Sequence, residues 1–209
     1  MGGQLTQFIS AYGVWFVAAF IALETVGVPL PAEAALMAAA IFAAGTHEFN
    51  IWLLISAGTL AAILGNIAGF WIGRRFGHHL LLRYGSRVGL TADRIKIGQW
   101  LFLHYGVVFV FIARFLPFLR NMAAILAGAN TMPQGRFYLA SSLAAAAWVA
   151  AYGFAAYWFG EAFQSAASPA LVVSALIAII IIVGLPMMIV RYEKRLLMRA
   201  ERDLPGPVS

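Results

Sequence analysis

The chain has 209 residues, of which 63% are hydrophobic and only 11% are charged, where a soluble domain carries about a quarter charged residues. A water-soluble protein of this length has too little interior to hide so much apolar surface, so a soluble globule, a disordered chain and a fibrous fold are excluded in favour of a polytopic membrane protein. The net charge of +6 would hint at nucleic acid in a soluble chain, but the basic residues gather beside apolar runs, where anionic membrane lipids are the expected partner and nucleic acid is not.

The first seven residues carry no Lys or Arg, which predicts that no signal peptide is cleaved. The apolar stretch 8–45 is interrupted by Glu24-Thr-Val-Gly27-Val-Pro29-Leu-Pro31-Ala-Glu33. Proline lacks the N–H and pushes the preceding residue out of helical geometry, so a broken, re-entrant hairpin is expected there. Residues 51–73 hold 23 uncharged residues, enough for a spanning helix. Within and just past them Gly65, Gly69, Gly73 and Gly77 fall at spacing four, a face for close helix packing. Residues 74–104 follow as a basic cytoplasmic interfacial segment containing six of the fourteen Lys and Arg.

The stretch 105–132 is apolar but interrupted by Arg114-Phe-Leu-Pro117-Phe-Leu-Arg120, a second broken hairpin. Residues 137–160 and 169–190 are uncharged and of spanning length, 24 and 22 residues. The former carries a stripe of small residues, Ala140, Ala144, Ala147 and Ala151. Residues 191–203 form a second basic cluster, read as a cytoplasmic tail helix, and 204–209, with Pro205-Gly-Pro207, as a disordered tail. Residues 1–203 are thus expected to form a single membrane domain. The chain has no cysteine, which removes disulfides and cysteine metal sites.

Parity constrains the second interrupted stretch. If both basic clusters face the cytoplasm, an even number of crossings separates Lys96 from Arg191, and 137–160 with 169–190 already supplies two. Each half of 105–132 is about ten residues, or roughly 15 Å, half of a hydrocarbon core about 30 Å thick. A re-entrant hairpin entering from the cytoplasm fits, and two full crossings do not. Tyr12-Gly-Val-Trp-Phe-Val17 also resembles Tyr105-Gly-Val-Val-Phe-Val110, and each leads through a broken stretch to an uncharged span. The expected fold is therefore all-α: two inverted-topology repeats, each a re-entrant broken-helix hairpin plus a spanning helix, and a C-terminal spanning helix.

Glu24, Glu33, Arg114 and Arg120 sit at these breaks, at membrane depth. Each charge costs about 2.5 to 3.5 kcal/mol at the bilayer centre on insertion scales, so the four must meet each other, water or a charged ligand. One reading is that two carboxylates and two guanidiniums neutralise one another and pin the hairpins together. The other adds a substrate: Arg presents a planar fork suited to phosphate, and the second half of the hairpin begins near Phe118, aiming free N–H groups at the same place. A membrane-embedded anion site suits an anion with an apolar tail, a lipid phosphate.

The substrate-binding set is then Arg114 and Arg120 with Pro117 and Asn121, and Glu24 and Glu33 are the ion-coupling pair. Low dielectric favours a neutral carboxyl and a nearby Arg favours a charged one, so phosphate on the Arg pair would switch a Glu between the two and link inward proton flow to lipid movement. Asn66 and Asn130 are further candidates for lining the cavity, against the ordinary role of membrane Asn as interhelical glue. Trp148, Trp158, Tyr152 and Tyr157 are belt or packing aromatics, which sequence does not separate. No catalytic, metal or cofactor site is expected. A lipid phosphatase would need a nucleophile such as His104 beside the arginines, and His78, His79 and His104 are read instead as solvated interfacial residues.

The stretch Glu24-x-x-Gly27-x-Pro29-x-Pro31-x-Glu33, the glycine ladder, Arg114-x-x-Pro117-x-x-Arg120 with Ala127-Gly128, and the later Trp148 resemble the DedA family, which shares its domain with the eukaryotic VTT lipid scramblases. The resemblance runs from about Tyr12 to Gly160. It implies a multi-pass protein of the bacterial inner membrane with a cytoplasmic C-terminus and opposed re-entrant hairpins. It also implies a transporter, not an enzyme, that moves undecaprenyl phosphate between leaflets with proton or ion coupling. Alternatives are phospholipid flipping or scrambling, or proton-coupled export of a small ion, and homo-oligomers are allowed. Glu24 and Glu33 match the family's acidic pair, and Arg114 and Arg120 its arginine pair. Ala32 stands where many members have Gly, a departure at the first break.

Overall fold

The structure, a computed structural model, describes residues 2–28, 30–46, 50–84, 92–114, 117–164 and 197–204. Among these residues every regular element is helical: α1 (Gly2–Val26), α2 (Ala32–Thr46), α3 (Ile51–Tyr84), α4 (Ala92–Tyr105), α5 (Val107–Ala113), α6 (Pro117–Ala129) and α7 (Gln134–Gln164). A short helical segment, 197–203, follows. The third predicted span, 169–190, and the tail 205–209 lie outside the described residues.

α3 and α7 contain apolar runs long enough to cross a membrane, Ile51–Phe76 and Gln134–Glu161, about 39 and 42 Å at 1.5 Å per residue. The arms of the interrupted stretches other than α1, which is 25 residues or about 38 Å in all, are shorter. The apolar part of α1, Tyr12–Val26, and α2 each reach about 22 Å and α6 about 20 Å, less than a hydrocarbon core of about 30 Å. α1 itself starts at Gly2, ahead of the expected boundary at residue 8. α3 also runs on past Gly73 to Tyr84, because the one glycine in that extension, Gly77, costs only about 1 kcal/mol in a helix and no proline intervenes.

Both breaks fall at the prolines. α1 closes with the Gly27 N–H donating to the Glu24 carbonyl (3.0 Å) and the Val28 N–H to the Leu23 carbonyl (3.1 Å), a Schellman motif whose left-handed residue is Gly27 at φ +117°. Pro29 and Pro31 then prevent immediate re-entry, and α2 starts when the Pro31 carbonyl accepts the Ala35 N–H (3.1 Å). α6 begins on Pro117, at the first helical position, where the fixed φ suits the helix and the missing N–H leaves nothing unsatisfied.

Packing is crosswise. α1 lies on α3 and α2 on α7, while α5 lies on α7 and α6 on α3. Each interrupted pair therefore lays its first arm on the long helix that follows it and its second arm on the other long helix. Ile21, Leu36, Leu54 and Val149 centre one core, and Phe70, Val110 and Phe137 another. With no water to drive helices together, contact depends on small residues. A Cβ on Gly73 would overlap the Ile125 carbonyl, and one on Gly128 would overlap the Phe70 carbonyl, so α3 and α6 touch backbone to backbone. Gly65 meets Thr25 and Ala22 of α1 in the same way.

The alanine stripe does not hold along its whole length. Ala140 and Ala144 are buried, but Ala147 and Ala151 are exposed. The buried face of α7 turns from the α5 side at Phe137 and Ala140 toward α2, where Ala145, Trp148, Val149 and Ala156 take over. Trp52, Leu60 and Leu64 of α3 and Leu139, Leu143 and Trp158 of α7 are exposed, as helix faces turned to lipid require. The 197–203 segment docks on α4: Ala200 is buried, and the Trp100 Nε1–H donates to Asp203 Oδ2 (2.7 Å).

Candidate functional site

The two breaks bring the four ionisable side chains together. Glu24 lies in the last turn of α1 and Glu33 in the first turn of α2; Arg114 follows α5 and Arg120 lies in the first turn of α6. Arg120 binds both carboxylates, Nη1 donating to Glu33 Oε1 and Nη2 to Glu24 Oε1. The pairing is lopsided, because Arg114 makes no ion pair among the described residues. Its Nη1 instead donates to Asn66 Oδ1 of α3 (3.1 Å). The Nε–H groups of both arginines are buried without a hydrogen-bond partner.

Trp148 of α7 serves both cations. The guanidinium carbons of Arg114 and Arg120 lie over its indole at 5.2 and 5.4 Å from the ring centroid, within the range of cation–π attraction. Tyr152 packs against the same indole at 5.2 Å. A cavity of about 10 Å³ lies between Arg114, Arg120, Asn66, Phe137 and Ser141, room for about one water. Exposure grades across the cluster: the side chain of Glu24 is 5% exposed, that of Arg120 12% and that of Glu33 34%. Glu33 is thus the member that faces outward, and Glu24 and Arg114 are sealed in.

All four predicted ionisable residues meet. Pro117 and Asn121 lie on α6, and their side chains lie outside the described residues. Asn66 lines the cavity, whereas the Nδ2–H of Asn130 donates to the Leu126 carbonyl (2.8 Å) at the end of α6. His104 stands with Trp100 and Asp203, its Nδ1 2.9 Å from the Trp100 carbonyl, and takes no part in the arginine cluster; the side chains of His78 and His79 lie outside the described residues. Sequence reasoning did not separate Trp148 from the belt aromatics and passed over Ser141. The usable signal was helical spacing: Ser141, Ala144, Trp148 and Tyr152 share one face of α7.

Asn66→Ala is expected to cost about 2 kcal/mol, because it removes the acceptor from a buried charged donor. Denaturant unfolding in detergent measures it, and an unchanged midpoint would mean that Asn66 does not hold Arg114. Asn66→Asp should be better tolerated, since it supplies a counter-charge.

A VTT-domain family model matches residues 30–158. An uncharacterized membrane protein of Synechocystis is 31% identical over 157 residues, covering 75% of this chain and 72% of the relative. Protein DedA of Escherichia coli is 29% identical over 164 residues, 75% of this chain and 74% of its own length. Undecaprenyl phosphate transporter A of Staphylococcus aureus is 32% identical over 149 residues, 69% and 72% of the two chains. No solved structure matches significantly.

Proposed function

The chain belongs to the VTT-domain, or DedA, family of membrane proteins, and from that premise we propose that it is a transporter moving a lipid phosphate between leaflets, with undecaprenyl phosphate the first candidate. The observation that carries the reading is the buried Arg114, whose guanidinium has Asn66 and an indole for neighbours and no ion-pair partner among the described residues. A sealed cation of this kind is costly unless an anion visits it, and the relative named for undecaprenyl phosphate supports an anion that carries its own apolar tail.

The lopsided pairing supports an order of events. A phosphate takes the unpartnered N–H groups of Arg114 and Arg120, and gains the rest of Arg120 as Glu24 and Glu33 release it. Protonating a carboxylate weakens its hold on Arg120, so proton and phosphate arrive together. The four residues are neutral as a set, two cations and two anions, and a phosphate that enters with protons on the glutamates keeps them so. Glu33, the more exposed carboxylate, is the natural point of proton entry.

The short arms α2 and α6 support re-entrant hairpins, and the crosswise packing supports two repeats of inverted topology. We assign the protein to the bacterial inner membrane, with the basic segment 74–104 and the tail on the cytoplasmic side, and read it as a carrier and not an enzyme.

The test is leaflet-resolved transport in liposomes containing undecaprenyl phosphate or a phospholipid, with and without a proton gradient. The expected result is faster movement of the lipid phosphate with the gradient, and loss of that acceleration in Glu24→Gln and Glu33→Gln. Gln variants that transport at the unsubstituted rate with unchanged pH dependence would remove the coupling. Equal movement of phospholipid would remove headgroup selection.

A further inference from the structure

Resting on that reading, we propose that Trp148 is a positioning residue of the site: the electron density of its indole, and not only its bulk, holds Arg114 and Arg120 in place while phosphate and carboxylate exchange on their edges. A guanidinium offers anions its in-plane N–H groups and offers an aromatic ring its face. The two kinds of partner therefore do not compete. Arg120 gives in-plane N–H groups of Nη1 and Nη2 to Glu33 and Glu24, and its Nε–H, buried without a partner, remains for a phosphate. Its contact with Trp148, with Cζ over the ring 5.4 Å from the centroid, is separate from these hydrogen bonds and can persist through the exchange.

Arg114 depends on the same ring more heavily, having a hydrogen bond to Asn66 and no ion pair among the described residues to fix its long side chain. Trp148 is itself fixed, 2% exposed and packed against Tyr152. Removed from water, a cation–π contact lies at the strong end of its range. One rigid ring from α7 thus ties an arginine after α5 to an arginine on α6, across the break between them.

The test separates electron density from shape. Fluorinated tryptophans introduced at position 148 by nonsense suppression keep the size of the ring nearly constant and drain its π density step by step. Binding to the purified full chain in detergent is measured with two probes, decyl phosphate and inorganic phosphate, alongside thermal unfolding. The expected result is a stepwise rise in Kd for decyl phosphate, reaching about tenfold for the tetrafluoro ring, with the unfolding temperature unchanged and with Trp148→Phe closer to the parent than Trp148→Leu. The same trend with inorganic phosphate would assign the recognition to the headgroup alone; a trend confined to decyl phosphate would assign it to a lipid. A flat or inverted series, with the parent still binding, overturns the role of Trp148 and leaves the transport reading standing. A parent that binds neither probe overturns both.

Discussion

Arg120→Ala is expected to abolish the proposed lipid-phosphate transport and to destabilise the protein by about 3 to 5 kcal/mol, the usual result of stranding buried charge. The reason lies in the lopsided cluster: among the described residues Arg120 alone forms ion pairs with Glu24 and Glu33, so its removal leaves two carboxylates without their hydrogen-bonded cation. The loss should shrink at low pH, where the carboxyls can become neutral. Adding Glu24→Gln and Glu33→Gln to Arg120→Ala should restore most of the stability and none of the transport. That divergence distinguishes a working site from a structural clasp. If the triple variant recovered both, the four charges would serve only to pin the breaks together. Arg114→Ala should behave differently, losing transport with a smaller stability cost, because it strands no carboxylate.

Gly73→Leu and Gly128→Leu should be still more damaging to folding. Ordinary overpacking costs about 1 to 3 kcal/mol because side chains can move aside. Here the obstruction is backbone, the carbonyls of Ile125 and Phe70, and relief requires α3 and α6 to separate. The expected loss exceeds about 4 kcal/mol, a large part of the 5 to 15 kcal/mol that holds a typical domain. It would be read as loss of the monodisperse peak in size-exclusion chromatography. Gly69→Ala is the control: its added carbon would come closest to Ala124 Cβ, at 3.2 Å, with the Thr25 carbonyl at an ordinary contact distance of 3.5 Å, and a small shift accommodates it. Equal yields from all three variants would refute the backbone contact.

Much of this was legible in the sequence, because oil makes charge and proline loud. A glutamate or arginine in an apolar run is costly wherever it points, so Glu24, Glu33, Arg114 and Arg120 identified themselves without knowledge of the fold. Pro29, Pro31 and Pro117 marked the breaks for an equally local reason, the missing N–H. The pairing was not legible. Nothing in the order of residues says that Arg120 takes both carboxylates while Arg114 turns to Asn66, since that depends on how two breaks far apart in the chain meet. The alanine stripe failed for a related reason: periodicity assumes one buried face, and α7 changes partners along its length, leaving Ala147 and Ala151 outside. Trp148 was ambiguous because an indole suits a lipid belt, a packed core and a cation equally well.

Since α2 leans on α7 and α6 leans on α3, neither half of the molecule is complete when it leaves the ribosome. Ile41 and Ala44 emerge long before Gly160, the residue they pack against, has been translated, and Gly73 must wait for Ile125 in the same way. The nascent chain thus spends its synthesis with bare seams in the bilayer, which the insertion machinery has to shield from wrong partners. Two polypeptides divided between α4 and α5 should rebuild the protein when produced in one cell, each half serving as the other's scaffold, while either half alone should be cleared by membrane proteases.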